Sequence, residues 1–511
     1  RSPTPHAARR RILRGFLKTY GIAALLALVA LDVNAQSAPP DNETITVDAN
    51  AAGRPFPHFW ERMFGSGRAV LSLRADYRDD LRSVKQITGF EYIRFHAVLD
   101  HEMGVYSEDA HGNPIYNFSY VDQSYDWLLA NGVKPFVELS FMPKELAANL
   151  TPHAFWYKPF PSPPKDPAKW GALVEAFTSH LIDRYGRPEV ESWYFEVWNE
   201  PNIDFWDGEP KQSTYFAFYD VTARAVKKVD IRLRIGGPAT AQAAWIPDFI
   251  AHCFQNHVPF DFVSTHVYGN DTSMDVFGKQ MTIPRRDMVA LAAKKVYDQV
   301  KASSAPSTPI IWSEYNATYM NQTEVTDSAF MGPWLANNIR ESDGLTEMMS
   351  YWCFSDVFEE QGVVKTPFYG GYGLIAEREI PKAAFRAFEL LHRLGDRRLN
   401  NDLKDALVTK TAEGALEIAV WNYAEPNESG APKTFRLNVS GAQGKNYTIQ
   451  WVAPDRASSQ NAFAEMGGPA SPTASQIRKL IDASRFPAPE TRPLADPIAL
   501  NPRTLALIEI R

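Results

Sequence analysis

The sequence predicts an α/β chain in which a (β/α)8 TIM barrel is followed by an accessory C-terminal antiparallel β-sandwich. Three observations carry that expectation. Eight strand-like runs alternate with stretches of helical spacing between residues 52 and 395. Several of those runs end on a residue able to do chemistry, namely His96, Glu200, His266 and Glu314, which is where such barrels place their sites. Beyond residue 395 the pattern changes to short alternating runs separated by turn residues. A doubly wound open sheet would gather its functional groups at a switch point. It would also commonly carry a glycine-rich phosphate loop, and no GxGxxG or GxxxxGK pattern is present.

Taken in order, the chain opens with Arg9, Arg10, Arg11, Arg14 and Lys18 ahead of an apolar run from Gly21 to Leu31, with Val33-Asn34-Ala35 after it. These are the three parts of a secretory signal. Residues 1–35 are therefore expected to be removed, leaving an exported protein, periplasmic or secreted, that starts near Gln36. A retained single anchor is the alternative, but the run is short for a membrane span. No stable membrane insertion is expected after removal. In residues 36–51, Thr44-Ile45-Thr46-Val47 alternates as a strand. It is expected to join the sandwich, because a closed barrel offers no free edge.

The barrel runs are Arg62–Gly65, Tyr92–His96, Lys134–Ser140, Trp193–Trp198, Leu233–Gly237, Phe262–His266, Ile310–Glu314 and Met349–Phe354. Between them, Trp170–Tyr185 and Ser213–Val229 read as amphipathic helices. The fourth run continues as Asn199-Glu200-Pro201-Asn202. Pro201 has no N–H for a ladder and biases Glu200 towards extended backbone, so pairing is expected to stop there. The barrel is assigned to residues 52–395 and the sandwich to 396–511. In the latter, Ala406–Thr411, Leu416–Tyr423, Thr434–Val439, Tyr447–Val452 and Thr504–Ile510 alternate.

Composition narrows the function. A net charge of −7 with no basic cluster in the mature region gives no footprint for nucleic acid. Cys253 and Cys353 allow one disulfide at most, and their settings favour two separate buried thiols. His96, His101, His111 and His266 lack metal-ligand spacing such as HExxH, so neither a catalytic metal nor a cofactor is expected. No nucleophile-elbow arrangement is present.

Two carboxylates stand at strand ends, Glu200 on the fourth run and Glu314 on the seventh. Strands four and seven face each other across a barrel mouth. Glycosidic cleavage needs one carboxyl to protonate the leaving oxygen and a second to face the anomeric carbon. Asn199 suits a hydrogen bond to a sugar 2-hydroxyl, and Tyr268 can hold Glu314 ionised by donating to it. Glu138 and Glu196 lie inside strands and read as buried acids paired to an arginine such as Arg94. Phe141 serves equally as a pocket wall or as core.

Trp193-Tyr194-Phe195-Glu196-Val197-Trp198-Asn199-Glu200-Pro201-Asn202, followed by Phe205-Trp206, resembles glycoside hydrolase family 39. That family holds β-xylosidases and α-L-iduronidases within clan A of the retaining barrel enzymes. The resemblance continues in order through Gly65-Ser66-Gly67, Ile93–His96, Lys134–Pro143, Ser162-Pro163-Pro164, Gly236–Ala239, Asp261–Tyr268, Tyr351-Trp352, Ser355–Glu360 and Tyr369–Leu374. It implies Glu200 as general acid/base and Glu314 as nucleophile. It further implies that Asn199, His96, His266, Tyr268, Trp352 and Glu360 surround the non-reducing-end sugar, with His96 and His266 either accepting from its hydroxyls or positioning the carboxylates. The family's usual Thr-Glu-Trp-Asn stands here as Ser313-Glu314-Tyr315-Asn316, a change expected to leave the chemistry alone and to touch the pocket beside Glu314 at most.

The expectation is thus a retaining exo-acting β-xylosidase that releases xylose from xylooligosaccharides, as a monomer. The alternatives are the same machinery on an α-L-arabinofuranoside, an α-L-iduronide or another β-glycoside, and a non-catalytic carbohydrate-binding barrel. An iduronide would need a cationic contact, and none is identifiable in the sequence.

Overall fold

Met63, Tyr92, Phe136, Tyr194, Phe262, Ile311 and Met348 form a single buried apolar cluster, each from near the start of a different strand. That cluster is the floor of a barrel. The computed structural model describes residues 41–442 and 444–511, so the expected signal segment lies outside the described residues. Among them, eight parallel strands close into one barrel. In chain order they are Met63–Ser66, Tyr92–Phe95, Lys134–Leu139, Tyr194–Val197, Arg234–Thr240, Phe262–Tyr268, Ile310–Asn316 and Met348–Tyr351. Each pairs with its sequence neighbours, and the eighth closes on the first through Ser350 opposite Met63. Arg234 lays its guanidinium 3.6 Å from the ring centroid of Tyr194, completing the floor where the fifth strand gives no apolar side chain.

The helices start and stop for local reasons. Helix Pro167–Tyr185 has Asp166 as its cap, whose Oδ1 accepts from the N–H groups of Ala168 and Lys169 at 2.9 and 3.2 Å. Pro167 occupies the first turn, where its missing N–H costs nothing. Gly186 ends the helix at φ +83°, a backbone angle other residues resist. No helix of the described residues is long and apolar enough to cross a membrane.

The C-terminal region packs two sheets around a second core that includes Ile45, Val408, Ile418, Phe435, Ile449 and Ile508. One sheet is antiparallel. Its strands run in the order Arg54–Pro55, Arg397–Leu399, Ala406–Lys410, Leu416–Asn422, Thr504–Ile510, Asn446–Val452 and Glu490–Pro493. The other sheet adds one parallel pair to the expected antiparallel sandwich. Asp41–Asp48 runs parallel to Lys433–Ser440, with Ile45 opposite Leu437, and only Ile498–Leu500 pairs antiparallel. The strand from the start of the chain thus arrives from outside the local meander, so hairpin logic does not set its direction. Two helices, Ser459–Glu465 and Ala474–Ala483, interrupt the meander. The second carries a capping box between Thr473 and Gln476, and Leu480 packs against Phe368, Ala376 and Ile380 of the barrel's last loop.

Barrel and sheet meet at close range. Gly332 lies in helix Met331–Ser342, and a Cβ there would stand 3.0 Å from Leu505 Cβ and 3.2 Å from Val452 Cγ1. A Gly332→Val substitution should therefore cost about 1–3 kcal/mol by overpacking. The urea midpoint of unfolding should fall while kcat/KM of the folded fraction holds, and an unchanged midpoint would refute the close packing.

Candidate active site

Side chains alternate along a strand, so the residues two positions above the floor also point inward. Above Tyr92, Phe136 and Tyr194 these are Arg94, Glu138 and Glu196. The barrel interior is therefore charged one layer up. Arg94 is fully buried and binds Glu196 through Nε at 2.6 Å, Glu138 through Nη2 at 2.8 Å and Glu314 through Nη1 at 2.8 Å. Burial alone would raise Glu138, but Arg94 and His96 outweigh it and hold the carboxyl below its ordinary value. For Arg94 itself, burial works against the charge and the three carboxylates more than offset it.

The next layer is the site. His96 Nδ1 lies 2.8 Å from Glu138, and its Nε2 faces Glu314 and Glu360, each at 3.8 Å. Glu314 is held at both oxygens: Oε1 accepts from Arg94, and Oε2 accepts from the Tyr268 hydroxyl at 2.6 Å. Burial raises its pKa, opposed by Arg94, His96 and Tyr268. Asn199 Oδ1 accepts from Arg94 Nη2 at 3.0 Å, which leaves the amide N–H groups as its free donors. Trp352 rests with its ring 4.8 Å from that of His96, and Gly65 of the first strand lies so close to that ring that a Cβ there would clash.

Glu200 is placed differently. The fourth strand ends at Val197, and Trp198 and Glu200 then take positive φ of 72° and 43°. The expected extended backbone before Pro201 does not form. The Glu200 N–H instead donates to Ala239 O at 2.8 Å, and Ile203 N–H closes a turn onto Glu200 O at 3.2 Å. The bond to Ala239 and the local turn override the extended preference and store strain at the strand end. Among the described residues no lysine or arginine bonds Glu200; its side-chain partner is His266, whose Nδ1 lies 3.0 Å from Oε1. Burial raises Glu200 well above its ordinary value, and the Glu314 carboxylate pushes it further. Burial, with Arg94 and His96 nearby, pushes His266 well down, so the ring is neutral.

The cavity above these groups measures about 270 Å³. Asn199, Glu200, Glu314, His96, Tyr268, Trp352 and Glu360 all line it. His266, expected among the sugar contacts, does not: it is fully buried behind Glu200, with Nε2 3.1 Å from Ser313 Oγ. Tyr315 faces away from the cavity too and stacks on Trp334 at 6.0 Å, so the departure from the usual family motif does not touch the pocket wall. Phe141 is core, lying parallel to Phe205 at 6.0 Å. The cavity also gains Phe155, Ile203, Gln242, Asp271, Tyr319, Gln361 and Tyr372 from loops that carry no periodic signal. Asp271 is pushed up to about 7, chiefly by burial.

Among the described residues, two groups of side chains bring metal-capable atoms within 4.8 Å of one another: Glu200, His266 and Glu314, and His58, Glu61 and His392. In the first, Arg94 and Tyr268 already occupy the Glu314 oxygens. In the second, the Nδ1 atoms of His58 and His392 bond Glu61 at 2.7 and 2.9 Å. Cys253 and Cys353 are both buried and free.

The profile of glycosyl hydrolases family 39 matches residues 43–497. The chain belongs to that family. A β-xylosidase of Geobacillus stearothermophilus is 36% identical over 485 residues, covering 92% of this chain and 95% of that protein. Among solved structures, a family 39 enzyme of Xanthomonas axonopodis pv. citri is 32% identical with a TM-score of 0.84, covering 93% of this chain and 98% of its own. A monomeric β-xylosidase of Caulobacter crescentus CB15 is also 32% identical, with a TM-score of 0.82, covering 92% and 99%. The chain is a glycoside hydrolase built on an eight-stranded barrel.

Replacing Arg94 by Met leaves Glu138 and Glu196 buried without a cation and releases one oxygen of Glu314. A loss of about 3–5 kcal/mol in unfolding free energy is expected. In whatever folds, the acidic limb of the pH–rate profile should move upward, because Glu314 loses its counter-charge. A variant of wild-type stability and pH profile would refute the central role given to Arg94.

Proposed function

We propose that this family 39 hydrolase is a retaining exo-β-xylosidase, with Glu200 as general acid/base and Glu314 as nucleophile. One observation carries the mechanism: a carboxylate oxygen of Glu200 and one of Glu314 lie within 4.8 Å of each other in very different surroundings. That spacing supports direct attack, for which the carboxyls stand about 5–5.5 Å apart, over the wider gap of roughly 6.5–9.5 Å that admits a water. Glu314, gripped by Arg94 and Tyr268, is the group of the pair that ionises first. Glu200, without a cation, keeps its proton.

In the first step a carboxylate oxygen of Glu314 bonds to the anomeric carbon. The glycosidic bond breaks, and its electron pair takes the proton of Glu200, so the leaving sugar departs as an alcohol. In the second step Glu200, now a carboxylate, takes a proton from water. The water oxygen bonds to the anomeric carbon, the bond to Glu314 breaks, and configuration is retained. The free N–H of Asn199 is available to the 2-hydroxyl, and the Trp352 ring offers an apolar face to the sugar.

The choice of sugar draws on the relatives, whose names are β-xylosidases. The pocket adds a charge argument. Glu200, Glu314, Glu360 and Asp271 line it, and among its described lining residues there is no lysine or arginine. An iduronide carboxylate would meet acids and no cation, so a neutral sugar is favoured. A volume of about 270 Å³ suits a single ring. Action as a monomer after export belongs to the same proposal. It is supported by the monomeric Caulobacter structure and by the charged, apolar and small-residue order of residues 1–35.

A panel of aryl glycosides tests the sugar, with the β-xyloside expected to give the highest kcat/KM. Glu314→Ala should abolish turnover, and azide should rescue it as the glycosyl azide of inverted configuration; residual wild-type activity would sink the nucleophile assignment. The wild-type profile should be bell-shaped, rising as the Glu200–Glu314 pair loses its first proton and falling as it loses the second. Because burial raises both groups, the bell should sit above the ordinary glutamate range near ~4.3. In Glu200→Gln the falling limb should disappear with an activated aryl leaving group, and a falling limb that persists would refute the acid assignment.

A further inference from the structure

Seven of the twelve large apolar side chains exposed among the described residues follow barrel strands on the face where the cavity opens. Leu150 and Trp156 follow the third strand, Met274 and Met281 the sixth, Tyr319 and Met320 the seventh, and Val363 the eighth. Singly exposed apolar groups need no explanation, so the informative ones are those tied to the cavity.

Two of them are tied to the cavity. Tyr319 lines it while remaining 50% exposed, and its ring stands edge-on to Tyr268 at 6.1 Å. Trp156 is 59% exposed and follows Phe155, which also lines the cavity. Its position is built rather than loose. The Trp156 N–H donates to Glu360 O at 2.8 Å, and its ring lies against Gly362, where a Cβ would stand 3.2 Å from Cε3. Gly362 also has φ +100°, so the residue beneath the indole is doubly suited to glycine. Between Glu360 and Gly362, Gln361 lines the cavity and offers an amide beside the indole.

We propose that Trp156 and Tyr319 form a leaving-group binding site at the cavity mouth, which takes the neutral pyranose rings on the far side of the cleaved bond. This rests on the β-xylosidase reading. A cavity of about 270 Å³ seats one ring, so the remainder of an oligosaccharide must leave past the mouth, where these two rings stand. Flat apolar faces match the C–H faces of pyranoses, and Gln361 can bond their hydroxyls. The cavity that this surface extends is lined by carboxyls without a lysine or arginine, so the occupant is the neutral continuation of the substrate. The enzyme is then tuned to oligosaccharides over simple glycosides.

The test compares kcat/KM on β-xylosyl fluoride, whose leaving group has no ring, with that on xylobiose and xylotriose, using an aryl β-xyloside as a further arm. For Trp156→Ala the ratio of xylotriose to fluoride activity should fall about tenfold, mainly through KM, and Trp156→Phe should restore most of it. Tyr319→Ala should move the ratio in the same direction. An equal loss on fluoride and xylotriose, or an unaltered ratio, would overturn the site while leaving the enzyme a β-xylosidase. A larger loss on the aryl xyloside than on xylotriose would overturn the pyranose assignment. A wild type inert on all the xylosides would overturn the parent reading and this one together.

Discussion

The Arg94 guanidinium, fully buried at the centre of the barrel, is the charge on which the rest of the site depends. Buried arginine is costly unless every donor is used and the counter-charge is close. Here Nε, Nη1 and Nη2 meet Glu196, Glu314, Glu138 and Asn199. Two of the acids, Glu138 and Glu196, lie below the cavity and never meet substrate, yet they fix the arginine's plane. The arginine in turn fixes one oxygen of Glu314 and the amide face of Asn199. Precision at the cavity floor is thus transmitted from a layer that does no chemistry, and the apolar plug beneath it keeps water from relaxing the charges.

The two carboxyls of the site differ because the chain reaches them differently. Glu314 stays within a strand, Ile310–Asn316, and a register shift before Tyr315 turns it towards Arg94 and Tyr268. Glu200 stands just beyond a strand, on backbone of positive φ that is anchored by Ala239 and closed by Ile203. Strain at this point lifts the carboxyl clear of the cation that its neighbour Asn199 touches. One residue of displacement along the chain therefore separates a group held by arginine from a group held only by a neutral histidine, and the two protonation states follow from that separation.

The barrel was legible in the sequence because its evidence is repetitive: eight strand-like runs alternate with helical spacing, and several of them end on a residue able to do chemistry. Strand-end carboxylates were legible for the same reason. The antiparallel sheets of the C-terminal region were legible too, but the parallel direction of Asp41–Asp48 was not, because it is set by a partner nearly four hundred residues away and no local turn encodes it. The helices in the C-terminal region were missed although Thr473 and Gln476 spell a capping box, because alternation on either side masks ten residues of another period. Of the two roles expected for His266, its place fits the positioning of a carboxylate, with Nδ1 3.0 Å from Glu200 Oε1. Position along a strand says that it points inward, but whether it reaches the cavity or stops behind Glu200 depends on packing that only three dimensions show. The loop residues Phe155, Asp271, Tyr319 and Gln361 had no periodic signal to betray them.

The charge count then bears on which acid can work. Glu200, Glu314, Glu360 and Asp271 line a single small cavity, and of the four only Glu314 is bonded by an arginine, Arg94, which Glu138 and Glu196 share. Four ionised carboxylates cannot persist there, and burial raises all four. The oxygen that Arg94 touches belongs to Glu314, so Glu314 is the one that ionises at least cost. Its negative charge, close to Glu200 and Glu360, is a further reason for both to keep their protons. In the proposed mechanism the acid is therefore made by the nucleophile: ionising Glu314 keeps Glu200 protonated, and neutralising Glu314 as it bonds to the sugar would free Glu200 to act as a base in the second step.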